Sequence, residues 1–298
     1  MDLTENVLAA TRDFLAVMEL SQTADSPAVV EQKAAGWLLS VKECLRRLAA
    51  GEPVDLGPDG SYTNLRSISR LAAGLILDHC GWLRAPARQE FQEFIDSIPA
   101  FVERGPYKFR FDCFSARIES WKSDLARFAG APGLRFLEIG SFEGNSACWL
   151  LDNVLTGDDS TVTCIDLYPS RIEALFDENI QKTGAAHKVI KLKGDSKEVL
   201  PTLDRGAFDF VYVDGSHTAP DTLEDAILSW KLVRPGGLLI FDDYTISDNR
   251  MLAILSPGTE QTGVAVDAFL KVYKGQYRLL RSDYQVVIEK IVPPEQAG

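Results

Sequence analysis

From Leu134 onward the chain repeats one alternation: a short apolar run, then a stretch with helical spacing. The runs are Arg135–Ile139, Thr161–Ile165, Lys188–Leu192, Phe208–Val213 and Leu238–Phe241. The stretches between them are about Ser146–Leu155, Arg171–Thr183, Lys197–Leu203 and Thr222–Leu232. Strands that are apolar on both faces and separated by helices form a parallel sheet covered on both sides, because only a crossover helix can return the chain for a parallel pairing. A helix near Val264–Tyr273 follows. Two more strands, near Tyr277–Arg281 and Gln285–Glu289, have no helix between them, so Ser282-Asp283 makes a hairpin turn. The expected fold is α/β, a doubly wound, mostly parallel seven-stranded sheet.

The first third has a different period. Asp2–Leu20 carries apolar residues at helical spacing. Ser26-Pro27 is a helix start, and Ala28–Ala50 then sets Val30, Ala34, Trp37, Leu38, Val41, Cys44, Leu45 and Leu48 along one stripe. Residues 51–63 read as a loop, and Ser67–Cys80 and Ala87–Ile98 as two further helices. Gly105-Pro106 breaks this pattern, and a helix from about Ser115 to Phe128 leads into the second region. The chain therefore divides into a helical subdomain, residues 1–105, and a second domain, residues 106–298.

Composition removes several function classes. Lys plus Arg is 31 and Asp plus Glu is 43, a net charge of −12. That sign repels phosphate backbones, so no nucleic-acid partner is expected. No apolar stretch is long enough to cross a membrane, and the acidic start Met1-Asp2-Leu3-Thr4-Glu5 is unlike a signal peptide. Cys44, Cys80, Cys113, Cys148 and Cys164 are odd in number and without a CxxC spacing, which points to reduced thiols and a cytoplasmic location.

The turn after the first strand reads Glu138-Ile139-Gly140-Ser141-Phe142-Glu143-Gly144. Ligands of such sheets sit beyond the carboxyl ends of the strands. The dinucleotide fingerprint is absent, since Phe142 stands where its middle glycine would be. A carboxylate at Glu138 suits a cationic ligand end, such as the amino group of methionine. Asp166, at the end of the second strand, can accept from a ribose diol, and Gly194-Asp195-Ser196, after the third, can reach an adenine ring. Taken singly, a strand-end Asp is about as often a helix cap or turn former.

The motifs LEIGSFEGNSACWLL, CIDLY, GDS, VYVDGSH and RPGGLLIFDDY, within residues 105–291, resemble the class I S-adenosylmethionine (SAM)-dependent methyltransferases. They are most similar to the branch that includes macrocin-type and mycinamicin-type O-methyltransferases. The resemblance implies a SAM site formed by Glu138, Gly140, Ser141, Gly144 and Ser146 on the first turn. Asp166, Leu167, Asp195, Ser196 and Asp214 complete it. In that family's strand order the fourth and fifth strands are neighbours, which brings Asp214, Asp242 and Asp243 together. Three converging carboxylates repel one another unless a cation intervenes, and oxygen ligands point to Mg²⁺ or another divalent ion. Metal-dependent members of the branch place acids at these positions.

Consecutive strand residues face opposite ways, so Asp242 and Asp243 share one ion only if the strand has ended at Asp242. Otherwise Asp242 contacts a neighbouring loop and Asp243 caps the next segment. His217, three residues beyond Asp214, matches a residue assigned as base in mycinamicin-type enzymes; it could equally orient SAM or the metal.

The expected activity is methyl transfer from SAM to a hydroxyl of a small-molecule acceptor, with Asp214 and His217 catalytic. The alternatives are metal-independent N-, O- or carboxyl-methylation and a non-catalytic SAM-binding protein. The loop Thr245–Thr262 is expected to line the acceptor pocket together with the helical region. An exposed apolar face on that region would favour a homo-oligomer.

Overall fold

The computed structural model describes residues 6, 7, 9, 10, 13, 14, 16–18, 27–52, 62–80, 83–110, 112–245 and 262–291. The expected acceptor loop therefore falls, apart from its end residues, outside the described residues. So do parts of the first helix and of the 51–63 loop.

The chain forms two compact units, one centred on the residues up to Glu103, the other holding most of the remainder. In the first, helices α1 (Pro27–Ala49), α2 (Tyr62–His79) and α3 (Ala85–Asp96) share one apolar core. The α1 stripe is buried from Val30 to Leu45, and the Trp37 ring lies 5.9 Å from both Phe14 and Phe91. Helix α2 starts five residues before its expected start at Ser67. Two three-residue strands, Val102–Arg104 and Tyr107–Phe109, flank the Gly105-Pro106 turn, where the sequence suggested only a break.

The second unit is built on a seven-stranded sheet. Its strands are β1 (Arg135–Ile139), β2 (Thr161–Asp166), β3 (Val189–Lys193), β4 (Phe208–Val213), β5 (Val233–Phe241), β6 (Tyr277–Ser282) and β7 (Val286–Lys290). Their order is β3-β2-β1-β4-β5-β7-β6. The first five pair in parallel; β7 runs antiparallel to β5 and β6. The order reverses between β1 and β4, so the crevice beyond their ends is the topological switch point. Strand β5 begins five residues earlier than expected, because Arg234-Pro235-Gly236-Gly237 is carried within it.

Crossovers are supplied by α5 (Asn145–Asn153), α6 (Ser170–Lys182), the single turn α7 (Ser196–Val199) and α8 (Ala219–Leu232); α4 (Ile118–Asp124) leads in and α9 (Thr262–Val272) precedes the hairpin. The expected lead-in helix is broken at both ends into 3₁₀ turns, Ser115–Arg117 and Ala126–Phe128.

The pleat sorts alternate residues into two cores. Phe136, Phe210, Tyr212, Leu238 and Ile240 pack on one face around Trp121. Leu137, Ile139, Val211, Val213, Leu239 and Phe241 pack on the other with Trp230 and Phe269.

The parallel ladder continues past the strand ends. Gly140 N–H donates to Ile165 O (2.8 Å), Asp214 N–H to Ile139 O (2.9 Å) and Asp242 N–H to Val213 O (3.0 Å). Gly140 has φ +88°, and a Cβ there would lie 1.8 Å from the Asp214 carbonyl oxygen. Both the conformation and the space demand glycine. Gly140→Ala should cost at least about 2 kcal/mol, read as a lower urea midpoint with an unchanged slope.

Candidate functional site

A cavity of about 370 Å³ opens beyond the ends of β1, β2 and β4. It is lined by Ile139 and Gly140, by Ile165, Asp166 and Leu167, by the Gly194–Lys197 turn, and by Gly215, Ser216, Asp221 and Asp225. Five residues expected around the cofactor are therefore here: Gly140, Asp166, Leu167, Asp195 and Ser196.

Asp166 stands at the mouth of the first turn. Its Oδ2 accepts from Phe142 N–H (2.8 Å) and its Oδ1 from Tyr168 N–H (2.9 Å). Both oxygens are thereby fixed while keeping a further lone pair for a ligand. Phe142 and Tyr168 both adopt positive φ, 46° and 45°. Asp195 caps α7, accepting from Lys197 N–H at 3.0 Å, so the capping role and the cavity-lining role coincide in one side chain. Asp221 accepts from Lys197 Nζ (2.7 Å), Ser216 Oγ (2.9 Å) and Thr218 Oγ1 (2.8 Å), and these donors hold its pKa down at about 2.

Glu138 is placed differently from the expectation. It does not line the cavity but sits fully buried on the opposite face, beside Cys164, Cys148 and α5. The reason is the pleat: Ile139 and Ile165 face the cavity, so Glu138 and Cys164, one step back, face away. Ser146 Oγ donates to Glu138 Oε1 and Cys164 Sγ lies 3.7 Å from Oε2. Burial raises the Glu138 pKa against the pull of these donors. The pair Glu138–Ser146 ties the end of β1 to the first turn of α5 and so braces the glycine turn from behind. Ser141, Gly144 and Ser146 are likewise buried and outside the cavity lining. Gly144 is instead the left-handed residue that starts α5 (φ 81°).

The acids beyond β4 and β5 separate into two groups. Asp214, His217 and Asp243 each offer a ligand atom within 4.8 Å of the others. Strand β5 has ended at Phe241, and Asp243 adopts φ 56°, a left-handed turn that directs its side chain to His217. His217 Nε2 lies 2.8 Å from Asp243 Oδ2, and Tyr284 O–H donates to Asp243 Oδ1. Burial disfavours charge on His217, but the hydrogen bond and charge of Asp243, with Asp242 beyond, leave its pKa above the ordinary value. Burial, then the charges of Asp242 and Asp243, push the Asp214 carboxyl well above the usual carboxylate range.

Asp242 is not part of that cluster. Its Oδ1 accepts from Gln285 Nε2 at 2.6 Å and lies 3.8 Å from Arg117 Nε. Gln285 is fully buried, and its Oε1 accepts from Trp121 Nε1 (2.9 Å) and Arg281 Nη2 (3.0 Å). Arg117 stacks on the Tyr284 ring, 3.7 Å from its centroid. Arg117, which comes from before the sheet begins, thus brings a basic group to Asp242 in space.

Sequence reasoning missed Arg117, Trp121, Tyr284, Gln285, Asp221 and Asp225. Arg117, Tyr284 and Gln285 lie far along the chain from the acids they contact, and Trp121 as far from the Gln285 it holds, and no spacing rule joins them. Asp221 and Asp225 stood inside a stretch read only as a helix. Of the remaining histidines, the side chain of His79 is outside the described residues, and His187 lies in a 3₁₀ turn before β3.

A doubly wound sheet of this order, with an acid at the end of β2 and a glycine turn after β1, defines the class I methyltransferase fold. Residues 137–244 match the family described as "Methyltransferase domain". Among curated proteins, a catechol O-methyltransferase of Mycobacterium tuberculosis is 32% identical over 122 residues, 40% of this chain and 52% of that protein. An uncharacterized protein, R132, of Acanthamoeba polyphaga mimivirus is 29% identical over 130 residues, 41% of this chain and 56% of that one. The chain thus spans about half the length of the curated relatives it matches. Among solved structures, the O-methyltransferase TomG of Streptomyces achromogenes, in complex with SAM, matches with a TM-score of 0.47 at 23% identity, over 67% of this chain and 86% of that one.

Asp225 generates a stability prediction. Burial, reinforced by the charges of Asp195, Asp221 and Glu224 and offset in part by Ser196, raises its pKa from an ordinary 3.8 to about 6. Between those values the native chain keeps a proton that the unfolded chain has lost, so stability falls as pH rises from about 4 to about 6. Above pH 6 the charged form opposes folding by roughly 3 kcal/mol at most. Asp225→Asn should therefore raise the Tm of the ligand-free protein at pH 7.5, with the gain vanishing near pH 4.

Proposed function

We propose that this chain is a SAM-dependent methyltransferase that methylates a hydroxyl group of a small-molecule acceptor, assisted by a divalent cation such as Mg²⁺. The observation that carries the reading is the adjacency of two features. The cavity contains Gly215 and Ser216, and the flanking Asp214 and His217 join Asp243 in one cluster. A methyl donor in the cavity then ends beside a set of groups able to activate an acceptor.

The donor set fits a divalent ion: two carboxylates close enough to share one centre, with an imidazole beside them. Asp214 and Asp243 would hold it, without the Asp242 also expected from the sequence, and His217 would stay beside it as base. When bound, such an ion supplies Lewis acidity that lowers the pKa of an acceptor hydroxyl.

The chain's own groups do the rest. The fixed Asp166 carboxylate accepts from the ribose hydroxyls. Gly140 leaves the backbone open to the methionine portion. Asp243, held by Tyr284, orients the His217 ring through Nε2, which leaves Nδ1 as the basic nitrogen to take the acceptor's proton. The acceptor is proposed to be a small metabolite rather than a nucleic acid, given the net charge of −12. No helix among the described residues is long and apolar enough to cross a membrane; a cytoplasmic location belongs to this proposal. The two-domain division at residue 105 and a homo-oligomeric state belong to the same reading.

One observation favours a second reading, in which no metal takes part. The Tyr284–Asp243–His217 relay already has the form of an acid–base system that needs no ion.

Calorimetry should show binding of SAM and of S-adenosylhomocysteine. Asp166→Ala should weaken that binding by about 10–100-fold, through lost charge-assisted hydrogen bonds and a loosened turn. Binding of NADH without either SAM or S-adenosylhomocysteine would refute the cofactor assignment. In a methyl-transfer screen over hydroxylated metabolites, His217→Ala should lower turnover by about 10²–10⁴-fold, with cofactor binding retained. Asp214→Ala should abolish turnover. Exhaustive chelation should stop the reaction and Mg²⁺ should restore it; full activity after chelation would leave the metal-independent reading standing.

A further inference from the structure

The turn after β1 is held in a conformation that its own residues resist. Phe142 adopts φ 46°, in the left-handed region that a bulky aromatic residue seldom enters, and Gly140 (φ 88°) and Gly144 (φ 81°) lie in the same region on either side. Such a backbone persists only where its surroundings impose it. Within the turn, Gly144 N–H donates to Ser141 O (2.8 Å). From outside it, Asp166 accepts from Phe142 N–H, and Asn179 Nδ2 donates to the Glu143 carbonyl at 3.0 Å.

Asn179 lies on α6, is fully buried, and stands outside the cavity lining. Its amide is oriented by the strand Tyr107–Phe109. Lys108 N–H donates to Asn179 Oδ1 (3.0 Å), and Nδ2 donates back to Lys108 O (2.9 Å). A backbone N–H can only donate, so Oδ1 must face it and Nδ2 must face the two carbonyls. The strand is itself anchored: Phe109 is buried in the core around Trp121, and Tyr107 O–H donates to Asp152 Oδ2 on α5 at 2.7 Å. The Asn179 side chain therefore pairs with Lys108 as a neighbouring strand would, and gives its second amide hydrogen to the glycine turn.

We propose that Asn179 is a positioning residue that sets the Gly140–Gly144 turn in advance for the amino-acid end of the cofactor. This rests on the assignment of the cavity to SAM. Without the Asn179 amide the Glu143 carbonyl loses that donor, and the strained backbone at Phe142 can relax. Gly140, the residue of this turn that lines the cavity, moves with it. Asp166 keeps a second anchor, the Tyr168 N–H, so the ribose end stays in place. A turn shaped before the ligand arrives avoids the cost of ordering it on binding.

The test is calorimetric binding of two ligands to the full chain. S-adenosylhomocysteine carries the amino-acid end, and 5′-methylthioadenosine keeps the nucleoside but lacks that end. Asn179→Asp changes the side-chain volume little and replaces the donor to Glu143 by an acceptor. In this variant S-adenosylhomocysteine should bind about 10-fold more weakly, and 5′-methylthioadenosine should stay within about twofold of wild type.

Unchanged binding of S-adenosylhomocysteine would overturn the proposal. So would equal weakening of both ligands, which is what a general loosening of the domain produces. The wild-type protein gives a second measurement, should Asn179→Asp not fold. Hydrogen exchange at the Phe142 and Gly144 amides should already be slow without ligand and change little when S-adenosylhomocysteine is added. Fast exchange that slows only with ligand means a turn shaped by the cofactor, and the proposal fails. Failure of the wild-type protein to bind S-adenosylhomocysteine at all would instead remove the SAM assignment, and this proposal with it.

Discussion

The rest of the site depends on how the parallel ladder runs past the ends of its strands. Three backbone hydrogen bonds, Gly140 to Ile165, Asp214 to Ile139 and Asp242 to Val213, extend the β2-β1-β4-β5 pairing into the loops by one residue each. They set Gly140, Asp214 and Asp242 in a row at fixed spacing. The turn after β1 can join that row only because Gly140 lacks a side chain, since the Asp214 carbonyl already occupies the place of a Cβ. Helix packing on both faces then makes the row rigid, and the crevice at the reversal of strand order becomes a fixed cavity.

Around this row the carboxylates are sorted by what reaches each of them. Asp166 is held by backbone N–H groups, Asp195 by a helix start, Asp221 by a lysine, and Asp242 by a buried glutamine backed by an arginine. These are structural commitments that leave the acids ordered. Asp214 and Asp243 gather instead around His217, and Asp225 keeps one oxygen without a protein donor. Two carboxylates gathered around one imidazole are a natural place for an outside cation to act. The same logic separates Glu138 from the ligand: with Ser146 and Cys164 against it, it is a brace inside the protein.

Much of this was legible in the sequence. The strand–helix alternation and the closing hairpin follow from local periodicity, and β1 and β4 begin and end where their apolar runs do. Gly140, Asp166, Leu167, Asp195 and Ser196 were recognisable because ligands of such sheets lie at strand ends, and strand ends can be read from one stretch of chain. Glu138 shows where this reasoning stops. Its position at a strand end was plain, but which face of the sheet it served depended on which helix covered that face.

The sequence by itself determined the parallel sheet, the glycine turn and the row of acids, because each rests on neighbours within a few residues and on the pleat's period of two. Only the tertiary structure decided which acids work together. The left-handed turn at Asp243, the Gln285 amide and Arg117 draw Asp242 away and leave Asp214, His217 and Asp243 as the cluster. Gln285 and Arg117 come from the last strand pair and from before the first strand. Their approach is set by the packing of Trp121 and the hairpin against the sheet, a long-range contact on which local propensity carries no information.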